Sequence, residues 1–209
     1  VPVLNEPEAV ALATNKLMTF EALDDADVSH VPYTTSREQA QGWLNEGHKV
    51  FIRDSLTGHS GEGIVVVEPQ VNSEQLFAIQ EAQRLLDNAG LNEVSDALDE
   101  DYQRVAENNV ELREAPLYTR GVVNSGEYRV HVFDGDVILY QKKSRRVDED
   151  GNVVTAEGAD ADIRNLASNW IYRTGNLRKL ERVESLALHA VNALGLDFGA
   201  VDIIMDQQG

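Results

Sequence analysis

The stretch Val50-Phe51-Ile52-Arg53, followed by Thr57-Gly58-His59-Ser60-Gly61-Glu62-Gly63, decides the fold prediction for this chain. Two β-branched residues and a phenylalanine before Arg53 indicate a strand, and the run Ile64–Val67 predicts a second strand after the loop. The loop is too long for a tight hairpin turn and too rich in glycine for a helix. Its backbone N–H groups can turn inward beside Arg53, an arrangement that suits polyphosphate binding. A flexible hairpin that binds nothing is the alternative, and loop composition alone favours it.

The loop does not match the simpler phosphate-binding and nucleophile motifs. Ile64 stands where a Walker A loop starting at Gly58 requires lysine, and Val66 occupies the third glycine position of a dinucleotide fingerprint. Glu62 replaces the second glycine of a nucleophile elbow. The five histidines lack zinc-type spacing. The chain has no cysteine, which excludes disulfide scaffolds, Cys-ligated metals and thiol catalysis.

Acidic residues outnumber basic ones by 36 to 18, which gives the 209-residue chain a net charge of −18. This charge disfavours duplex nucleic acid as a partner, because phosphate neutralisation requires excess cations. No apolar run reaches the length that spans a bilayer, so no membrane partner is expected. We expect a cytoplasmic protein, either an ordinary acidic one or one from a high-salt cytoplasm, where screening removes the self-repulsion.

Salt dependence separates these two expectations. If the acidic surface is an adaptation to high salt, the free energy of unfolding rises as KCl approaches molar concentration, because counterions screen the repulsion between carboxylates. Refolding of the purified protein across a KCl series measures this directly. A free energy of unfolding that stays constant up to molar KCl contradicts the high-salt adaptation.

The pattern of apolar residues predicts an α+β fold in which helices are interleaved with an antiparallel meander. Residues 8–23 have helical spacing, and Thr35 and Glu38 form a capping box that opens a helix ending at Gly47. The other predicted elements are helices over 72–109 with a break at Gly90, strands at 117–123, 128–133 and 137–141 with a tight Asp134-Gly135 turn, a mobile loop over 148–162, a helix over 177–194 and a buried strand at 198–205.

Two further motifs carry candidate functional side chains. In Glu127-Tyr128-Arg129-Val130-His131-Val132 the alternation places Glu127, Arg129 and His131 on one face of a strand, and Lys142-Lys143 follow across the turn. The solvent-facing side of an antiparallel sheet explains this pattern equally well. Asp202 lies within the apolar run 199–204, where an ionised carboxylate must be paired, protonated or bound to a cation.

Taken in order, these motifs resemble the ATP-grasp superfamily, particularly the D-alanine–D-alanine and glutamate-ligase types of carboxylate–amine ligase. The resemblance runs from about Asn15 to the end of the chain. The motifs that carry it are Asn15-Lys16-Leu17, Val31-Pro32, the strand and loop over 50–67, the alternating run 127–132, and Gly195-Leu196-Asp197-Phe198-Gly199-Ala200-Val201-Asp202.

The resemblance implies an ATP-grasp fold of two α+β subdomains with antiparallel sheets, truncated at both ends, that clamp ATP. Residues 1–70 would form the small subdomain with its glycine-rich lid, 71–112 a helical insertion, and 113–209 an incomplete C-terminal subdomain. The chain ends before the Glu-x-Asn metal ligands expected after Asp202.

The resemblance also implies roles for individual residues. Lys16 matches the first phosphate lysine, Arg53 stands where the family usually has a strand lysine, and His59, Ser60, Gly61 and Gly63 belong to the lid. Tyr118-Thr119-Arg120 matches the adenine hinge, and Glu127 matches the acid that binds the ribose hydroxyls. Arg129 with Lys142 or Lys143 would face the phosphates, so Arg129 and Lys142 are the candidate catalytic residues and Lys143 a candidate nucleotide contact. Asp202 matches the first Mg²⁺ ligand.

The implied cofactors are ATP and Mg²⁺, and the implied substrates are a small-molecule carboxylate and an amine joined through an acyl phosphate. Because arginine and lysine are not equivalent at phosphate sites, Arg53 also leaves open a degenerate module with a structural or binding role in a larger assembly or homo-oligomer. An acidic α+β protein outside the family is the third hypothesis. Asn165, Asn169 and Trp170 either line an acceptor site or cap and pack the following helix.

Overall fold

The computed structural model describes residues 4–57, 63–69, 73–91, 110–154, 164, 166 and 168–206. Within that part of the chain the helices are α1 (Pro7–Thr14), α2 (Lys16–Asp25), α3 (Arg37–Asn45), α4 (Ser73–Asn88) and α5 (Glu181–Ala193). The strands there are β1 (Tyr33–Thr34), β2 (Val50–Arg53), β3 (Ile64–Val67), β4 (Leu117–Arg120), β5 (Gly126–Phe133), β6 (Asp136–Arg145), β7 (Trp170–Arg173) and β8 (Phe198–Met205).

The chain divides into two compact units. Unit A comprises Val1–His30, Ser55–Gly63 and Val123–Gly209, and unit B comprises Val31–Asp54 and Ile64–Val122. These units group the chain differently from the predicted segments 1–70, 71–112 and 113–209, because residues 1–30 pack with 123–209. The assignment of those segments as ATP-grasp subdomains stays a prediction.

Unit B is built on a four-stranded antiparallel sheet in the order β1-β4-β2-β3. Its core forms where the apolar face of α3 meets β2 and β4. The buried residues of this core are Ala40, Trp43, Leu44, Val50, Ile52, Leu112 and Tyr118. The buried side chains of Val50 and Ile52 anchor β2 in this core and so fix the position of Arg53 at its end.

Unit A contains a second antiparallel sheet in the order β7-β6-β5-β8, with α5 packed against one face. Val183, Ala187 and Val191 of α5 pack with Val130 and Val132 of β5. Full burial of each valine contributes roughly 1.5–3 kcal/mol relative to exposure. Because side chains alternate along β5, the residues between these valines lie on the opposite face of the sheet.

The N-terminal segment joins unit A through Asn5. The Asn5 side-chain oxygen accepts hydrogen bonds from the backbone N–H groups of Asp197 and Phe198, both at 2.8 Å. Its amide nitrogen donates to the Phe198 carbonyl at 2.8 Å. Leu23 of α2 packs in a second small cluster with Val28 and Ala190. Residues from both ends of the sequence thus share one hydrophobic core.

Several sequence predictions are confirmed. Strands β2, β3 and β8 lie where the β-branched runs predict them, and all pairings in the two described sheets are antiparallel. Asp134 and Gly135 have φ values of 49° and 78°, as a two-residue hairpin turn with both central residues left-handed requires. Gly90 ends α4 with a φ of 73°. Across the described ranges, no helix is long and apolar enough to cross a bilayer.

Several predictions about local structure are wrong, including the strand over 117–123, which ends at Arg120. The single helix over 8–23 is two helices, because the Asn15 side chain accepts hydrogen bonds from the N–H groups of Leu17 and Met18 and caps α2. Ser36, not Thr35, caps α3 and accepts from the Gln39 N–H. The helix predicted from residue 177 starts at Glu181. Strand β8 is buried on one face only, with Ile203 4% and Ile204 42% exposed.

The predicted loop over 148–162 and the helical region over 72–109 lie partly outside the described residues. Within the described part, Asp148 closes a turn by accepting hydrogen bonds from the N–H groups of Asp150 and Asn152, at 3.0 and 2.8 Å. Strands β1 and β7 are further elements that the sequence pattern did not predict.

Candidate functional site

One face of the unit A sheet carries a group of charged and aromatic side chains. In the register of the sheet, Arg129 of β5 lies opposite Asp202 of β8, and Lys143 of β6 lies opposite Tyr172 of β7. The alternation of β5 places Glu127, Arg129 and His131 on this face, while Val130 and Val132 face α5. The sequence prediction that Glu127, Arg129 and His131 share a face is therefore correct.

Arg129 and Asp202 form a bidentate ion pair on this face. Arg129 Nε donates to Asp202 Oδ1 and a terminal nitrogen donates to Oδ2, both at 2.6 Å. The side chains are 35% and 45% exposed. Hydrogen bonding to the Asp202 carboxylate raises the pKa of the Arg129 guanidinium. Asp202 is thus half-exposed and paired, which resolves how an ionised carboxylate is accommodated in this strand.

Tyr172 connects the two members of this ion pair. The Arg129 guanidinium carbon lies 4.3 Å from the centre of the Tyr172 ring. The Tyr172 hydroxyl donates to Asp202 Oδ1 at 3.3 Å. Burial raises the pKa of Tyr172, and the Asp202 carboxylate acts in the same direction. The phenol therefore stays protonated and can serve as a donor.

Glu127 and Lys143 form a second, more buried ion pair. Lys143 Nζ donates to Glu127 Oε1 at 2.5 Å, and the two side chains are 11% and 10% exposed. Arg164 contributes a second cation, with a terminal nitrogen 3.8 Å from Glu127 Oε2. Removal of either partner would leave the other charge buried without a counter-ion, which destabilises the fold.

Lys142 lies on the other face of the sheet. It is the cross-strand neighbour of Tyr128, and its Nζ is 5.8 Å from the centre of the Tyr128 ring. Lys143 is thus the lysine that shares a face with Arg129. A catalytic role for Lys142 stays a prediction, and the geometry gives Lys143 the stronger claim to a phosphate contact.

Lys16, the predicted phosphate lysine, also belongs to unit A. The backbone N–H of Lys16 donates to the Leu56 carbonyl at 2.8 Å, so the start of α2 adjoins the chain that leads into the glycine-rich loop. Gly63, at the far end of that loop, has a φ of 68°. His59, Ser60 and Gly61 lie outside the described residues.

The predicted site residues of unit B are Arg53, Tyr118 and Thr119. Arg53 Nε is a buried donor without a hydrogen-bond partner in the described structure, and burial lowers the pKa of the guanidinium. Tyr118 is fully buried, and its hydroxyl donates to the Arg113 carbonyl at 2.8 Å. Thr119 is 2% exposed. If Tyr118 and Thr119 contact adenine, their backbone atoms in β4 would therefore make the contact.

In each unit taken by itself, some of these side chains have the chemistry that a magnesium nucleotide requires. The unpartnered Arg53 Nε suits a phosphate oxygen in unit B, since buried donors require an acceptor. Among the described residues no three Asp, Glu or His side chains gather to hold a metal alone. Mg²⁺ at nucleotide sites needs only one or two carboxylates in addition to phosphate oxygens and water, and Asp202 can supply one.

Sequence reasoning missed Tyr172 and Arg164, which contact Asp202 and Glu127. The guanidinium carbons of Arg145 and Arg164 lie 4.9 and 4.8 Å from the centre of the Trp170 indole ring. Alternation of Trp170 and Tyr172 is the signal that could have identified β7 and its face. Asn169 has a φ of 58° and its carbonyl accepts from the Arg146 N–H at 2.9 Å, so it shapes a turn. Asn165 lies outside the described residues.

Known proteins with the same fold include several ligases. The chain is 23% identical to tetrahydromethanopterin:alpha-L-glutamate ligase of Methanocaldococcus jannaschii over 218 aligned residues, which cover 100% of the chain and 60% of that protein. It covers 51% of the ATP-grasp ligase PsnB, solved with a minimal precursor, Mg and ADP, with a TM-score of 0.55 and 17% identity over 100% of this chain. It covers 55% of D-alanine–D-alanine ligase from Bacillus anthracis, with a TM-score of 0.54 and 11% identity over 96% of this chain.

No protein-family model matches the chain. The chain spans between half and two thirds of the length of these relatives. The structural matches are nevertheless consistent with one another and cover nearly all of this chain. The chain therefore has the ATP-grasp fold, and the resemblance to ATP-grasp ligases inferred from its motifs is confirmed.

Proposed function

We propose that the protein is an ATP-dependent carboxylate–amine ligase that forms an amide or peptide bond through an acyl-phosphate intermediate. The strongest support is the set of charged side chains on the face of the unit A sheet opposite α5: Glu127, Arg129, Lys143 and Asp202. Cations and carboxylates side by side on one rigid sheet suit a ligand that carries phosphates, hydroxyls and a divalent cation.

The proposed chemistry has two steps. An oxygen of the substrate carboxylate attacks the γ-phosphate of ATP and releases ADP, and the amine then attacks the acyl carbon, loses a proton and releases inorganic phosphate. Arg129 and Lys143 would neutralise charge on the transferring phosphoryl group, and Arg53 would hold a phosphate oxygen. Glu127 would accept hydrogen bonds from the ribose hydroxyls. Asp202 would hold Mg²⁺, which supplies further charge neutralisation.

No protein nucleophile is required in this scheme, because the substrate carboxylate is itself the nucleophile. A mechanism without a protein nucleophile is compatible with a chain that lacks cysteine. The substrates we propose are a small-molecule or peptide carboxylate and an amine, in keeping with the ligase names of the similar proteins. A cytoplasmic location agrees with the supply of ATP that the reaction needs.

The decisive experiment follows oxygen from the carboxylate. Intact protein is incubated with MgATP and a panel of amino-acid pairs whose carboxylates carry ¹⁸O, and the released phosphate is analysed by mass spectrometry. We expect ¹⁸O in the phosphate only when both an acceptable carboxylate and an amine are present. The Asp202→Asn variant serves as the control that lacks the proposed metal ligand.

A degenerate nucleotide-binding module is the second candidate, because Arg53 replaces the usual lysine and Asp202 is already paired with Arg129. Thermal unfolding with and without millimolar MgATP separates the two when it is combined with the ¹⁸O measurement. Ligand at 100-fold its Kd stabilises a protein by about 2.7 kcal/mol. Stabilisation without ¹⁸O transfer across the panel favours the binding module, and the absence of any stabilisation contradicts both.

A further inference from the structure

We infer that Arg129 is a resident counter-ion of Asp202, which keeps this carboxylate from binding a divalent cation until an oxyanion draws the guanidinium away. The cation and the phosphate groups then bind as coupled ligands rather than independently. This inference extends the proposed function, because the oxyanion in the working protein would be a phosphate of the nucleotide.

The ion pair engages both oxygens of Asp202. Oδ1 accepts from Arg129 Nε and from the Tyr172 hydroxyl, and Oδ2 accepts from a terminal nitrogen of Arg129. Mg²⁺ binds carboxylate oxygens at a distance of about 2.0–2.1 Å. A cation at that distance would lie next to the positive guanidinium, so the two positive groups compete for one carboxylate.

The same geometry allows the pair to open. At 35% and 45% exposure both side chains reach water, where ion pairs are weak and easily exchanged. Arg129 is also stacked at 4.3 Å from the centre of the Tyr172 ring. This contact involves no atom of Asp202, so Tyr172 can hold the guanidinium on the sheet face while the guanidinium N–H groups turn to another oxyanion.

The neighbouring pair lacks this property. Glu127 and Lys143 are 10% and 11% exposed and lie 2.5 Å apart, so opening them would leave a buried charge without a partner. The half-exposed pair is therefore the one suited to exchange partners, whereas Glu127 and Lys143 would contact a ligand with their own ion pair intact.

The test measures Mn²⁺ binding to the intact protein without nucleotide, by electron paramagnetic resonance and by calorimetry. Mn²⁺ is a probe for oxygen-ligated Mg²⁺ sites. We expect Arg129→Met to bind Mn²⁺ roughly tenfold more tightly than the parent, because the competing cation is gone. Arg129→Lys keeps the charge but loses the bidentate contact, and should fall between the two.

Two variants control this comparison. Arg145→Met removes a cation from β6 that stacks on Trp170, and it should leave Mn²⁺ affinity at the parental value. Adding Asp202→Asn to Arg129→Met should abolish the gain. Equal gains in Arg129→Met and Arg145→Met would overturn the inference, because they would indicate a general charge effect. No gain in Arg129→Met would overturn it as well.

The coupling has its own readout. Sulfate binds guanidinium but chelates Mn²⁺ weakly, so it should raise the Mn²⁺ affinity of the parent and leave Arg129→Met unchanged, relative to chloride of equal ionic strength. If Arg129→Met fails to fold, Arg129→Gln replaces it. These measurements contain no nucleotide, so the failure of ATP binding or of ¹⁸O transfer would reject the proposed function without deciding the Mn²⁺ result.

Discussion

Replacing Arg53 by methionine should weaken MgATP binding by roughly tenfold to a hundredfold, the usual loss for a hydrogen bond to a charged group. Arg53 Nε is a buried donor that has no partner among the described residues, and burial disfavours its charge. A phosphate oxygen would supply the missing acceptor. Calorimetric titration of the intact protein with MgATP measures the change in Kd.

The same substitution should not lower the free energy of unfolding of the protein without nucleotide, and can raise it. Methionine keeps much of the apolar stem and removes the unsatisfied donor, so the unliganded variant should be as stable as the parent or more stable. Arg37→Met is the matched control, because Arg37 is a unit B cation already paired with Glu111 and Glu114. Unchanged MgATP affinity in Arg53→Met would refute the role assigned to Arg53.

Replacing Glu127 by alanine should destabilise unit A by about 3–5 kcal/mol, the cost of leaving one member of a buried ion pair alone. The Lys143 ammonium would remain at 11% exposure without its carboxylate. The chain has two tryptophans, Trp43 in unit B and Trp170 in unit A. In a Trp43→Phe background, the fluorescence of Trp170 during urea unfolding therefore reports on unit A.

Charge removal on both sides distinguishes a buried pair from general damage to the sheet. The double variant Glu127→Gln with Lys143→Met should recover much of the loss, since no buried charge remains unpaired. Glu111→Ala removes an exposed partner, 79% exposed, from the Arg37 ion pair, and should change stability by less than about 0.5 kcal/mol. A Glu127→Ala loss no larger than that of Glu111→Ala would show that the pair contributes little.

Local sequence patterns predicted the strands and turns because these depend on neighbouring residues. Asp134-Gly135 requires two left-handed residues, and this dipeptide tolerates them. The break between α1 and α2 was missed because apolar spacing continues across Asn15, while the side-chain hydrogen bonds to Leu17 and Met18 interrupt the helix. Strand β7, with four residues, is too short for its alternation to stand out.

The choice between Lys142 and Lys143 shows what a sequence pattern cannot decide. A regular hairpin from the Asp134-Gly135 turn, with Phe133 opposite Asp136, would place Lys142 opposite Glu127. The ladder instead shifts by one residue between His131 and Val132. That irregularity brings Lys143 beside Glu127 and turns Lys142 to the other face. The position of the register shift depends on the packing of the whole sheet, which no local sequence pattern encodes.

The Asn5 contacts have a consequence for synthesis of the protein. Asn5 is bonded to Asp197 and Phe198, 192 and 193 positions away in sequence. At a translation rate of about 5–20 residues per second, roughly 10–40 s separate the emergence of these partners from the ribosome. Helices α1 and α2 must wait for β8 throughout that time, whereas the strands of unit B are complete earlier. Unit B can therefore fold before unit A, which is complete only after β8 has emerged.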